Sequence, residues 1–134
     1  MRVKGLLFLI ITSLLLTSSL SAQDVTERTE DGEKAMLLTI FLKHDQAKTL
    51  GEIGEQLDKT GFWETFPPEG TEVVSWYVMM GLGQVVTLRV PPDKLRAVNV
   101  AIERNAWNAF RTEFYPTYNF MPIFENMQEQ QSEN

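Results

Sequence analysis

Two runs of alternating apolar and polar residues, Glu72–Met79 and Gln84–Val90, are joined by only four residues, Met80–Gly83 (MGLG). No other stretch restricts the fold as much. Alternation with period two sends successive side chains to opposite faces of a strand, and a short glycine-containing joint closes two such strands as an antiparallel hairpin. In the first strand Val74, Trp76 and Val78 share one face, and Val73, Ser75, Tyr77 and Met79 share the other. In the second, Val86, Leu88 and Val90 oppose Val85, Thr87 and Arg89. The fold is therefore built on an antiparallel sheet whose two faces differ in polarity.

The flanking segments complete the pattern. Met36–Lys43 (MLLTIFLK) reads as a strand with Met36, Leu38, Ile40 and Leu42 on one face and Leu37, Thr39, Phe41 and Lys43 on the other. Thr49 followed by Glu52 forms a capping box that opens a helix, with Leu50, Ile53 and Leu57 along one side and Gly61 at the terminating position. Gly51 and Gly54 each weaken that helix by about 1 kcal/mol relative to Ala, a cost that close approach to the sheet would offset. Phe66–Gly70 reads as a connector. Pro91-Pro92-Asp93 closes the hairpin, and a long helix is expected from there to about Phe114, with Leu95, Val98, Ile102, Ala106 and Ala109 as its apolar stripe. Pro116 ends it, and Tyr118–Ile123 is expected to form a short last strand, placed at a sheet edge by Pro122.

The expected order is strand, helix, strand, strand, helix, strand. This is the α+β, ferredoxin-like βαββαβ arrangement, a four-stranded antiparallel sheet with two helices on one face. The apolar set of Leu38, Ile40, Leu42, Val74, Trp76, Val78, Val86, Leu88 and Val90 suits the covered face. The domain is expected to occupy residues 35–124, between a flexible polar leader (23–34) and a frayed polar tail (125–134).

Ahead of the leader, Arg2 and Lys4 precede an apolar run from Leu6 to Leu16 and a small polar stretch ending at Ala22. That is the order of a secretory signal peptide, residues 1–22, and the run is shorter than the roughly 18 residues of a spanning helix. No membrane anchor is expected to persist after cleavage, and the absence of cysteine excludes a lipoprotein anchor. Of the 134 residues, 112 would remain, enough for one modest core. The chain carries 12 basic and 18 acidic side chains; without Arg2 and Lys4 the balance is 10 to 18, a net charge of −8. So acidic a chain without a basic cluster is a poor partner for nucleic acid or an anionic membrane. An exported chain with no cysteine and no glycosylation sequon points to a bacterial periplasm, or secretion from such a cell.

The second sheet face carries Thr39, Phe41, Lys43, Ser75, Tyr77, Met79, Val85, Thr87 and Arg89. It is too apolar to stand in water and too polar for ordinary core, which marks an interaction surface. Covering it with the same face of a second chain predicts a homodimer enclosing a small space. Phe41, Lys43, Tyr77, Met79 and Arg89 are the candidate ligand-binding residues: Arg89 could hold a carboxylate, Tyr77 donate a hydrogen bond and Lys43 shift its pKa on burial. The plainer reading of these residues is a set of polar contacts at a dimer interface.

His44 is the single histidine and adjoins Asp45. With Tyr77 it is a candidate for proton transfer; the plainer reading is a solvent-exposed strand end. No further His, Cys or carboxylate stands at ligand spacing, so no metal site is expected. Trp107, Phe110, Arg111, Glu113, Phe114, Tyr115 and Tyr118 form an aromatic and charged cluster that reads as packing, with a pocket edge as the alternative. There is no phosphate loop, no nucleophile elbow and no serine in a recognisable catalytic setting.

The stretches Trp76–Pro92 (WYVMMGLGQVVTLRVPP) and Phe114–Ile123 (FYPTYNFMPI), within the order of elements above, resemble the dimeric α+β barrel superfamily, nearest its muconolactone-isomerase-like group. The likeness spans nearly all of Met36–Ile123 as spacing and character. It implies two sheets closed face to face. Some relatives in that superfamily oxidise aromatic substrates and some bind haem, for which His44 would be the ligand here; the residues themselves call for no cofactor. The export signal departs from the cytoplasmic isomerases of the group. The leading expectation is an exported homodimeric binding protein for a small, partly apolar ligand. The alternatives are an isomerase- or oxygenase-like enzyme acting on a small aromatic or lactone-type acid, and a protein-interaction module. N-terminal sequencing of the exported protein is expected to begin at Gln23; a chain that retains Arg2 and Lys4 would refute cleavage.

Overall fold

A computed structural model describes residues 27–133. The expected signal peptide lies outside the described residues, and among those described no helix is long and apolar enough to cross a membrane. The chain forms β1 (Met36–His44), α1 (Leu50–Thr60), a single-turn α2 (Phe62–Thr65), β2 (Glu72–Met79), β3 (Gly83–Val90), a 3-10 turn (Pro92–Lys94), α3 (Leu95–Asn105), β4 (Phe110–Thr117) and α4 (Met121–Ser132). The four strands make one antiparallel sheet in the order β2-β3-β1-β4. This α+β architecture is compatible with the ferredoxin-like arrangement.

The expected hairpin is present, with Trp76 opposite Val86 and Met79 opposite Gly83. Gly83 has φ +141°, and a Cβ there would overlap the carbonyl oxygen of Leu42 and crowd the backbone of Lys43 and His44. A glycine is required where two backbones approach this closely. The capping box on α1 is also formed: the Thr49 side chain accepts from the Glu52 N–H at 3.2 Å, and Glu52 accepts from the Thr49 N–H at 2.7 Å. Gly61 ends α1 in the left-handed conformation, φ +69°. Gly51 and Gly54 face no close neighbour that a Cβ would displace, so close approach to the sheet does not explain them.

One face of the sheet is covered by α1, α2 and α3. Leu38, Ile40, Leu42, Val86, Leu88 and Val90 meet Ile53, Leu57, Phe62, Val98 and Ile102 there. Phe62 is fully buried and contacts Phe66, Phe110 and Trp63 at ring-centroid distances of 5.1, 6.4 and 5.0 Å. The ends of α1 and α3 are joined where the Thr60 hydroxyl donates to the Asn105 carbonyl at 2.6 Å.

Three expectations are corrected. The second long helix stops at Asn105 rather than Phe114, because Asn108 takes a left-handed turn (φ +73°) and the chain re-enters the sheet. The last strand is Phe110–Thr117, not Tyr118–Ile123, so Pro116 lies within an edge strand where its missing N–H is harmless. Pro122 sits in the first turn of α4, a helix without a buried residue. Thirdly, a register shift between Val73 and Ser75 makes Val74 a bulge residue and turns Val73 toward the face of Leu88. Val74 and Val78 are exposed, so of the three β2 residues expected in the covered face only Trp76 packs against the core.

Gly83→Ala is expected to destabilise the protein by about 1–3 kcal/mol from backbone strain alone. A melting temperature lowered by roughly 10 °C would show it; an unchanged melting curve would contradict the close approach.

Candidate functional site

The uncovered face of the sheet is organised in rows set by the strand register. Reading from β2 to β4, the rows are Glu72, Arg89, Leu37 and Thr117; Ser75, Thr87, Thr39 and Tyr115; Tyr77, Val85, Phe41 and Glu113; and Met79, Gly83, Lys43 and Arg111. The nine residues expected on this face from alternation are all on it. The fourth strand adds Arg111, Glu113, Tyr115 and Thr117.

The charged groups on the face are mostly paired within the chain. Lys43 Nζ donates to Glu113 Oε1 at 2.7 Å, and the Tyr115 hydroxyl donates to Glu113 Oε2 at 2.9 Å. Lys43, together with that phenol, holds the Glu113 carboxyl below its ordinary pKa, and the carboxylate in turn raises that of Tyr115. At the other end, Arg89 Nη1 donates to Glu72 Oε2 at 2.8 Å, and its Nε lies 3.4 Å from Glu27 Oε2. Glu72 also accepts from the Glu30 N–H at 2.7 Å, and these two bonds, the backbone one foremost, lower its pKa. Glu27 and Glu30 belong to the expected leader, whose described part forms a turn closed by an Arg28–Lys34 bridge. Between the two ends, Thr39 is hydrogen-bonded through its hydroxyl to Thr87 at 3.0 Å and Thr117 at 3.1 Å.

Apart from Arg111 at the end of the sheet, what stands open is apolar and aromatic. Tyr77 is 68 % exposed, Tyr115 48 % and Met79 43 %. Phe41 lies among them and meets Tyr115 edge to face at 5.7 Å.

This layout separates the residues singled out from sequence. Phe41, Lys43, Tyr77 and Met79 are neighbours in adjacent rows. Arg89 is not: it pairs with Leu37, six residues along β1 from Lys43, or about 20 Å at roughly 3.4 Å per residue. One small ligand cannot span both cations, and Arg89 is already occupied by two carboxylates. Tyr77 and His44 lie on opposite faces of the sheet, since His44 pairs with the inward-facing Phe110 and stacks on its ring at 5.6 Å. His44 Nε2 is buried without a hydrogen-bond partner, so only Nδ1 could serve a ligand. It is therefore not the simple solvent-exposed strand end of the plainer reading.

Haem, implied for His44 by the superfamily resemblance, does not fit this surrounding. The Nε2 that would ligate the iron is sealed against the chain, and the open space beside His44 is split between a charged side with Lys43, Asp45 and Arg111 and an apolar side with Leu50, Ile53, Val78 and Met79, not one flat apolar slot. Among the described residues no three His, Cys, Asp or Glu side chains converge on one point. The aromatic cluster expected at a helix end is divided by β4 instead: Phe110 and Phe114 turn to the covered face, and Arg111, Glu113 and Tyr115 to the open one. The sequence signal for this was slight: Phe110 and Phe114, four residues apart, fit one face of a strand as well as a helix turn, and FRTEFYPT does not alternate strictly. The chain matches no protein-family model, no curated protein and no solved structure.

Because Glu72 and Glu113 have lowered pKa values when folded, their contribution to stability is complete above the ordinary carboxylate pKa of about 4.3. It is lost as pH falls through the folded values. Carbon-detected NMR titration is expected to show Glu113 ionising at lower pH than an ordinary glutamate, and Lys43→Met is expected to raise that midpoint. An identical midpoint in the variant would refute the pairing.

Proposed function

We propose that this chain is an exported, homodimeric binding protein. The open sheet faces of two copies meet, as in dimeric α+β barrels, and enclose a small, partly apolar ligand. One observation carries the reading: exposed Tyr77, Met79 and Tyr115, with half-buried Phe41 among them, form an apolar and aromatic patch on a face where Lys43, Glu113, Arg89 and Glu72 are already paired. Paired charges lose less on desolvation than free ones, so covering this face costs less than its residue content implies. Tyrosine, phenylalanine and methionine are the residues enriched at interface centres. A twofold axis through the face would set each patch against its own copy, the commonest closed symmetry.

The separation of Tyr77 from His44 favours binding over the enzyme alternative. An isomerase- or oxygenase-like reaction using both groups for proton transfer would need them at one substrate, and here the sheet stands between them. Tyr77, Phe41 and Met79 serve the ligand in the binding reading, and Lys43 serves as a polar rim.

Native mass spectrometry of the mature protein purified from its own compartment is the test. A dimer retaining a small molecule is expected, and Tyr77→Glu is expected to give a folded monomer without it. A wild-type chain that stays monomeric at micromolar concentration would overturn the reading. So would a stoichiometric complex with a different protein, which would establish the interaction-module alternative.

A further inference from the structure

At one end of the sheet, the loop after β1 and the β2–β3 turn enclose a cleft with two lobes of about 410 and 420 Å³ that share His44, Asp45, Gln46 and Gly81. Each lobe falls in the size range of small-molecule sites. The lobes differ in character. One is flanked by Lys43 and Arg111. The other is lined by Leu50, Ile53, Val78 and Met79.

Two features make this cleft more than a surface depression. Leu50 is 72 % and Val78 70 % exposed, so two large aliphatic side chains that amphipathic patterning assigns to the interior instead stand at its apolar lobe. Across the cleft, the cations differ in how they are engaged. Lys43 is bound to Glu113, and Lys48 donates to the Asn108 carbonyl. Arg111 has no ion pair or hydrogen bond among the described residues, and it belongs to the polar lobe. Asp45 faces the same lobe, with its carboxylate accepting from the Ala47 N–H at 3.0 Å. Of the three cations, Arg111 is the one whose donors are all unused, and its guanidinium is a planar donor suited to a carboxylate.

We infer that the cleft is a second binding site, complete within one chain, for a small amphiphilic carboxylate: the carboxylate lies on Arg111 in the polar lobe and the hydrocarbon part passes His44 to lie against Leu50, Ile53, Val78 and Met79. It does not depend on self-association. Leu50, Ile53 and Val78 belong to the helix side of the sheet, whereas Lys43, Met79 and Arg111 stand at the end of the open face, so the cleft adjoins the proposed dimer surface and shares that end of it.

Octanoate is the probe, with octanol as its uncharged counterpart and acetate as the head group alone, followed by two-dimensional amide NMR of the chain from Gln23 to Asn134. Octanoate is expected to shift the amides of His44, Gln46, Gly81 and Val78, and to bind about tenfold more tightly than either control. Arg111→Gln is expected to remove that advantage over octanol, and Arg111→Lys to restore part of it. Val78→Gln is expected to weaken octanoate and octanol together. The same shifts are expected in Tyr77→Glu, so a failure of the dimer leaves this result intact. Equal binding of octanoate and octanol by the wild type would overturn the inference. So would shifts confined to Phe41, Tyr77 and Tyr115, or no saturable shift at millimolar octanoate.

Discussion

The backbone of β3 enters the sheet at Gly83 so close to Leu42 and His44 that no side chain fits between them, and the rest of the molecule inherits its register from that approach. With Gly83 opposite Lys43, Val86 falls opposite Ile40 and Leu88 opposite Leu38, which brings the aliphatic residues of the two central strands to one face. A slip of one residue would reverse every one of them. The same register sends Lys43, Phe41 and Thr39 to the other face, beside Gly83, Val85 and Thr87. Core and candidate site are thus two consequences of one pairing.

The two faces are stabilised by different means. On the covered face, Phe62 and Phe66 from the short segment after α1 reach Phe110 of β4 and Trp76 of β2, tying both edge strands to the centre through aromatic contacts. The open face has no such layer. Its order comes from cross-strand pairs, the threonine hydroxyls of β1, β3 and β4, and two ion-pair groups at its ends. Each exposed pair of this kind contributes little, because water screens it. The open face is accordingly the less secured side of a sheet that its helices already hold, which leaves its large side chains free to meet something else.

The hairpin, the capped first helix and the membership of the open face on β1 to β3 were legible in sequence because each depends on local chemistry: period-two alternation, Thr49 with Glu52, and glycine in the turn. The second half of the chain was harder for a specific reason. Ala106 and Ala109 continue the helical spacing of Leu95, Val98 and Ile102, and both are buried, but they are buried in a turn rather than a helix. Asn108 supplies that turn without the glycine or proline that would announce it. Phe110–Thr117 alternates only loosely, its Phe110 and Phe114 also suit the helical spacing, and Pro116 argued against a strand until its edge position was known. The bulge at Val74 leaves no local mark at all. For the site, residue types on one face could be read, but their partners could not. Glu27, Glu72 and Glu113 come from the leader and from the two edge strands, and only the fold brings them to Arg89 and Lys43.

Those partners decide how the face can be used. An arginine alone on a sheet face would be an anion anchor, whereas Arg89 between Glu27 and Glu72 is a clasp that joins the leader to the ends of β2 and β3. Lys43 and Glu113 make a similar clasp between β1 and β4, reinforced by the Tyr115 phenol. With Arg89 and Lys43 engaged, the strip between them is left to Phe41, Tyr77, Met79 and Tyr115, and its recognition must be chiefly apolar. An apolar strip bounded by ion pairs can be covered without burying a free charge as long as Arg111, beside Lys43 in the last row, stays at the edge, since desolvating an uncompensated charge would cost several kcal/mol. The arrangement thus admits a self-complementary partner in the one direction where the helices provide no cover, while Arg111, outside both clasps, remains available at the end of the sheet.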